Sequence, residues 1–133
     1  MKMTGNKCLL DTSFIIHAFR DSNFAAKLND FSEVYIPSIA IGELYYGAYR
    51  SSNSQKHLDQ INQFIGNCIP LSVDITTGDF YGKIKTALKD KGKPIPENDI
   101  WIAAVSAQFD LPLFTTDNHF KEIENMVLVN FNK

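Results

Sequence analysis

The chain has 133 residues, a length that suits one domain, and its 44% hydrophobic share supports a core that folds without staples. A charged share of 21% sets it apart from disordered, solvating chains. A net charge of −2 leaves no broad basic surface, so any contact with nucleic-acid phosphates must be local.

In chain order, residues 7–10 form a short apolar run that ends at Asp11 and predicts a first strand. Residues 13–20 and 23–31 predict helices. Val34, Tyr35 and Ile36, β-branched and aromatic and broken by Pro37, predict a second strand. Ser38 suits the cap of a helix reaching about Arg50, and Ser51 to Ser54 is a polar break. Residues 55–66 place Leu58, Ile61, Phe64 and Ile65 on one helical face. Residues 69–73 predict a third strand, residues 75–91 a helix with Phe80, Ile84, Ala87 and Leu88 inward, and residues 92–97 a loop carrying Pro94 and Pro96. Residues 99–109 predict a helix that is apolar almost all round and therefore buried on most faces. A fourth strand at 113–115, a helical turn at 118–124 and a final strand at 127–129 complete the chain. Strands alternating with helices imply a parallel sheet covered on both faces, with ligands expected beyond the carboxyl ends of its strands.

Cys8 and Cys68 sit in apolar runs and predict buried thiols, since no Cys/His spacing suits zinc. No segment resembles a signal peptide, and no apolar run approaches the roughly 20 residues that span a bilayer, so a cytoplasmic location is expected.

Four acids stand at places where chemistry collects. Asp11 ends the first strand and Asp117 follows the fourth, both on the carboxyl edge of the sheet. Each also stands where an aspartate caps a following helix. Glu43 has Ile39, Ala40, Tyr46 and Gly47 as helical neighbours, an apolar or narrow face on which an unpaired carboxylate is costly unless it tilts to solvent. Asp99 opens the most apolar helix, where it or Asn98 also suits a cap. Jointly, unpaired acids at one edge repel one another, and a hard divalent cation with oxygen ligands, magnesium or manganese, is the natural solution.

Four motifs carry a resemblance: Leu-Leu-Asp-Thr-Ser at 9–13, Ile-Pro-Ser-Ile-Ala-Ile-Gly-Glu-Leu-Tyr-Tyr-Gly at 36–47, Asn-Asp-Ile-Trp-Ile-Ala-Ala at 98–104 and Thr-Thr-Asp-Asn-His-Phe at 115–120. In this order they make the chain resemble PIN-domain ribonucleases, in particular the VapC toxins of bacterial type II toxin–antitoxin pairs. The resemblance covers nearly the whole chain, 1–133 as a single PIN domain, and departs from the family by a few extra residues before the first strand. It implies a three-layer α/β/α sandwich on a parallel, roughly five-stranded sheet. It implies a metal-dependent endoribonuclease that uses Mg2+ or Mn2+, with RNA as substrate, an antitoxin protein as inhibitor and a homodimer as the assembly. Its acidic ligands match Asp11, Glu43, Asp99 and Asp117, and its hydroxyl residue in the last motif matches Thr115. We assign Asp11, Glu43 and Asp99 to the firmer metal site and Asp117 to a second or weaker one.

Smaller signals have plainer readings. Lys83, Lys85, Lys89, Lys91 and Lys93 form either a solvated helix face or a phosphate-tracking edge. Tyr45, Tyr46 and Tyr49 suit a core or dimer interface better than base stacking, and the aromatic load of residues 39–49 asks for a further surface to bury. His119 is expected to be structural or solvent-facing, and His17 and His57 carry no motif. A phosphoacceptor receiver domain would want an acidic pair after the first strand, and an Asp-x-Asp phosphatase would want an acid at the position of Ser13. The alternative that remains is a non-catalytic PIN-like module binding RNA or protein, which loss of an acid would mark; all four are present.

Overall fold

The computed structural model describes residues 6–129. The few residues ahead of the first strand, 1–5, lie outside the described residues. Four strands, β1 (Lys7–Leu10), β2 (Glu33–Pro37), β3 (Ile69–Leu71) and β4 (Leu113–Phe114), form one parallel sheet in the order β3-β2-β1-β4. The chain steps outward from β1 to β2 to β3, then returns to place β4 on the other side of β1. The strand order therefore reverses between β1 and β4, and the crevice beyond their carboxyl ends is the switch point at which open α/β sheets bind ligands.

Among the described residues, six α-helices cover the sheet: α1 (Thr12–Arg20), α2 (Ser22–Ala25), α3 (Ser38–Arg50), α4 (Ser54–Ile65), α5 (Ile75–Asp90) and α6 (Glu97–Phe109). Side chains alternate across a strand, and two cores result. Cys8, Leu10, Ile36 and Phe114 face α1, α3 and α4. Leu9 and Leu113 face α6 and Leu88 of α5, which is the three-layer sandwich expected. Phe14 of α1 meets Phe114 of β4 with ring centroids 4.2 Å apart, which ties the start of α1 to the end of β4. None of the helices of the described residues is long and apolar enough to cross a membrane.

The sheet departs from the expectation of about five strands. The stretch 127–129 joins it through a single parallel bridge, Leu113 to Leu128, with Leu113 N donating to Val127 O and Val129 N to Leu113 O, each at 2.9 Å. The reason lies in β4, which offers two residues before Thr115 turns toward the switch point, so no ladder can extend. The helix expected over 23–31 splits into α2 and a 3-10 turn at Ala26–Asp30, with Asp21 capping α2 through Asn23 N and Phe24 N. Ser38 does not cap α3; Pro37 occupies that position without a side-chain bond.

Cys8 is buried and Cys68 half-buried, both as free thiols, and burial pushes them up to about 12 and about 11. The lysine cluster resolves largely into exposed ion pairs: Lys83 with Asp79 at 3.0 Å, Lys85 with Glu97 at 3.1 Å and Lys91 with Glu122 at 3.8 Å. Tyr45 is half-buried and donates to Asn62, whereas Tyr46 and Tyr49 are 68% and 70% exposed.

Candidate active site

The switch point gathers the acids from three directions. Asp11 leaves β1 and enters α1, Thr115 and Asp117 leave β4, and Asp99 and Glu43 come from the helices on the two faces. Asp11 is 2% exposed and is held from every side. Phe14 N donates to its Oδ1 at 3.0 Å, Thr115 Oγ1 donates to Oδ2 at 2.6 Å, and Ser13 Oγ lies 2.9 Å from both oxygens. Asp11 is thus the cap of α1, as one reading of the sequence allowed. An ionised carboxylate has about four lone-pair sites. Three donors between them place two contacts on each oxygen of Asp11.

Burial raises the Asp11 carboxyl from 3.8 to about 6, in spite of the lowering effect of Thr115, Phe14 and Ser13, and the charge of Asp99 adds to the rise. Asp99, half-buried, is also raised, first by burial; His119 opposes this, while the charges of Asp117 and Glu43 add to it. Asp99 therefore shares an electrostatic field with each of the other three acids. It is not a cap: α6 begins at Glu97 behind Pro96, which puts Asp99 in the third helical position of the first turn. Glu43 is half-buried on α3, and Thr12 Oγ1 donates to its Oε1 at 2.6 Å.

Thr115 is the joint between the first and last motifs. Besides bonding Asp11, its hydroxyl accepts from Asp117 N at 2.9 Å and lies 3.3 Å from Ser13 Oγ. Thr115→Val keeps the shape of this buried side chain but strips a donor from Asp11 and an acceptor from Asp117. We expect a loss of about 1–3 kcal/mol, the cost of buried groups left unpaired. Urea unfolding at pH 7 checks this, with Thr115→Ser, which keeps the hydroxyl, retaining most of the stability. Equal stability of the valine variant and wild type would mean that the joint contributes nothing.

Three contributors escaped the reading of the sequence. Thr12 and Ser13 lie in the first motif, and their signal was a pair of hydroxyls directly after a strand-ending aspartate. His119, expected to be structural or solvent-facing, is indeed exposed, but its Nδ1 also lies 2.8 Å from Asp99 Oδ2 and 2.9 Å from Asp117 Oδ1, contacts its motif did not announce. Asp117 caps the 3-10 turn Asn118–Glu122 by accepting from His119 N, and this folds the histidine back over the acids. Its ring is held above the ordinary histidine range, chiefly by the bond to Asp99. Ligand atoms of Asp99, Asp117 and His119 all lie within 4.8 Å of one another. The donor set of the four acids and their hydroxyls is all oxygen, which fits a hard divalent cation.

The family model of the PIN domain matches residues 8–126. A protein described as Ribonuclease VapC2, from Haemophilus influenzae (strain KW20 / Rd), is 31% identical over 124 residues, covering 91% of this chain and 92% of its own. A tRNA(fMet)-specific endonuclease VapC of Shigella flexneri is 27% identical over 124 residues, covering 90% and 92%. Among solved structures, VapBC2 from Rickettsia felis, bound to a DNA fragment from their promoter, aligns with a TM-score of 0.88 at 25% identity, covering 93% of this chain and 98% of that one.

Proposed function

The chain belongs to the PIN-domain family, and from that membership we propose that it is an endoribonuclease, the toxin of a toxin–antitoxin pair. It cleaves RNA phosphodiester bonds with a magnesium or manganese ion held by Asp11, Glu43, Asp99 and Asp117. The observation that carries this reading is the grouping of Asp99 and Asp117 within 4.8 Å at the β1/β4 switch point, with the charges of Asp11 and Glu43 acting on or felt from Asp99.

A divalent cation there supplies Lewis acidity toward the phosphodiester and acidifies water. The rest is done by the chain. Thr115 and Ser13 hold the Asp11 carboxylate in one orientation, and Thr12 does the same for Glu43 by occupying Oε1. Phe14 and Phe114, packed beneath, fix the spacing between the ends of β1 and β4. Water attacks phosphorus, the bond from phosphorus to the 3′ oxygen breaks, and that oxygen takes up a proton. The products carry a 5′-phosphate and a 3′-hydroxyl.

Relatives support the partners of this reading. The Rickettsia felis neighbour is a VapBC2 complex, and we take an antitoxin as the partner here, covering the acidic crevice with a lysine or arginine that reaches the carboxylates. Exposed Tyr46 and Tyr49 on α3 support a homodimer. We place its action in the cytoplasm and treat the chain as one PIN unit. The test is direct. Purified protein is expected to cut RNA with magnesium or manganese, to stop when EDTA is added, and to leave 5′-phosphate ends. Full cutting in EDTA overturns the metal role, and RNA binding without cutting in either metal overturns the enzyme.

A further inference from the structure

Resting on the metal reading above, we propose that His119 is a nitrogen ligand of that centre and that, with Asp99 and Asp117, it makes the protein prefer manganese to magnesium. The geometry begins with a hydrogen bond that is poorly served. One Nδ1 lies within 2.9 Å of oxygens on two different carboxylates. A single ring N–H points along one direction, and such bonds weaken steeply as the angle closes, so at most one of the two contacts is well made. A cation among the three atoms satisfies all of them at once, the ring proton passing to solvent. Neighbouring ligands of a small octahedral ion with bonds of about 2.1 Å lie about 3 Å apart. The observed separations of 2.8 and 2.9 Å are of that size, and all three donor atoms fall within 4.8 Å of one another.

The backbone holds this arrangement in place. Asp117 accepts from His119 N at 2.9 Å, and the next residue, Phe120, is fully buried against α6, which anchors the turn beside the acids. The imidazole itself is 46% exposed, which gives an ion and its waters a path in.

Nitrogen decides the metal. Magnesium takes oxygen ligands and gives up its waters reluctantly. Manganese shares magnesium's taste for carboxylates, but as a first-row transition ion it falls within the series that binds nitrogen sites. A centre with four carboxylates and one imidazole therefore suits manganese on both counts.

The experiment is calorimetric titration of the metal-free full chain with MnCl2 and, separately, with MgCl2, for wild type, His119→Ala and His119→Asn. Wild type is expected to bind manganese at least about tenfold more tightly than magnesium. Both variants are expected to lose about tenfold or more in manganese affinity while magnesium changes less than about threefold, the low end of what metal-site substitutions cost. Pulsed electron paramagnetic resonance of the manganese-loaded proteins gives a readout independent of affinity: a nitrogen coupling in wild type that is absent from both variants. Equal losses for the two metals, an unchanged manganese affinity, or a wild-type spectrum without nitrogen overturns the proposal. Tighter binding of both metals by the alanine variant also overturns it, because His119 is then a competing cation. Binding of neither metal to wild type overturns the metal reading itself, an outcome distinguishable from the others because no variant is needed to see it.

Discussion

Asp99→Asn is expected to leave a folded protein that cuts RNA at less than about one hundredth of the wild-type rate. The fold has little reason to notice the change. Asp99 is half-buried in the first turn of α6 and caps nothing, since Pro96 precedes the helix and no side-chain bond closes it. Asparagine has the same shape and can still accept the His119 hydrogen bond through its amide oxygen. The chemistry loses much more. Asp99 is the acid whose field is shared with Asp11, Glu43 and Asp117, and it offers a ligand atom within 4.8 Å of those of Asp117 and His119. Replacing groups that merely support metal ligands typically costs 10–100-fold, so a ligand itself should cost more. The measurement is cleavage of a defined RNA under excess enzyme, with circular dichroism and a melting curve as folding controls. A well-folded variant that keeps a tenth of the activity would remove Asp99 from the centre of the mechanism.

Most of the scaffold was legible because its signals are local. The apolar run ending at Asp11 gave β1, and the all-round apolar stretch after Asp99 gave α6, whose residues Ile102 to Ser106 are indeed buried. Glu43 stood out because its neighbours one turn away are apolar or small. What was illegible depends on chain direction in space. Nothing local in Val127-Leu128-Val129 says that β4 is too short to extend a ladder, so a β-rich tripeptide became one bridge. Nothing in the isolated His119 says that the turn capped by Asp117 bends it back onto Asp99, a residue twenty positions away. The ion pairs of Lys85 and Lys91 were not legible in the run from 83 to 93, where Asp90 is the single acid, because Glu97 and Glu122 lie outside that helix.

The Asp11→Asn protein is expected to melt at or above the wild-type temperature in EDTA at pH 7, and to gain much less from metal. Asp11 is the most buried of the four acids, and burial holds its carboxyl at about 6 against an ordinary 3.8. A folded-state value above the unfolded one means that the native state binds the extra proton. Below about pH 4 the group is protonated in both states and costs nothing. As pH rises toward 6 the unfolded chain ionises first, so native stability falls, and above 6 the full penalty stands. At about 1.4 kcal/mol per pH unit, the interval corresponds to something on the order of 3 kcal/mol. Asparagine avoids this penalty and gives back part of the gain, because its amide suits Thr115 and Ser13 less well than a carboxylate does. The gap between the two proteins should therefore be small near pH 4 and open toward pH 7. Metal reverses the order. A ligand that binds only the folded state stabilises it, by about 2.7 kcal/mol at a hundred times its dissociation constant. Wild type should take most of that and the variant little. If Asp11 served only as the cap of α1, asparagine would cap about as well, and metal would move the two curves alike. Four melting curves, each protein with and without manganese, repeated at pH 4.5 and 7, separate these cases: parallel metal responses would leave Asp11 a helix cap, and the cation would have to be held without it.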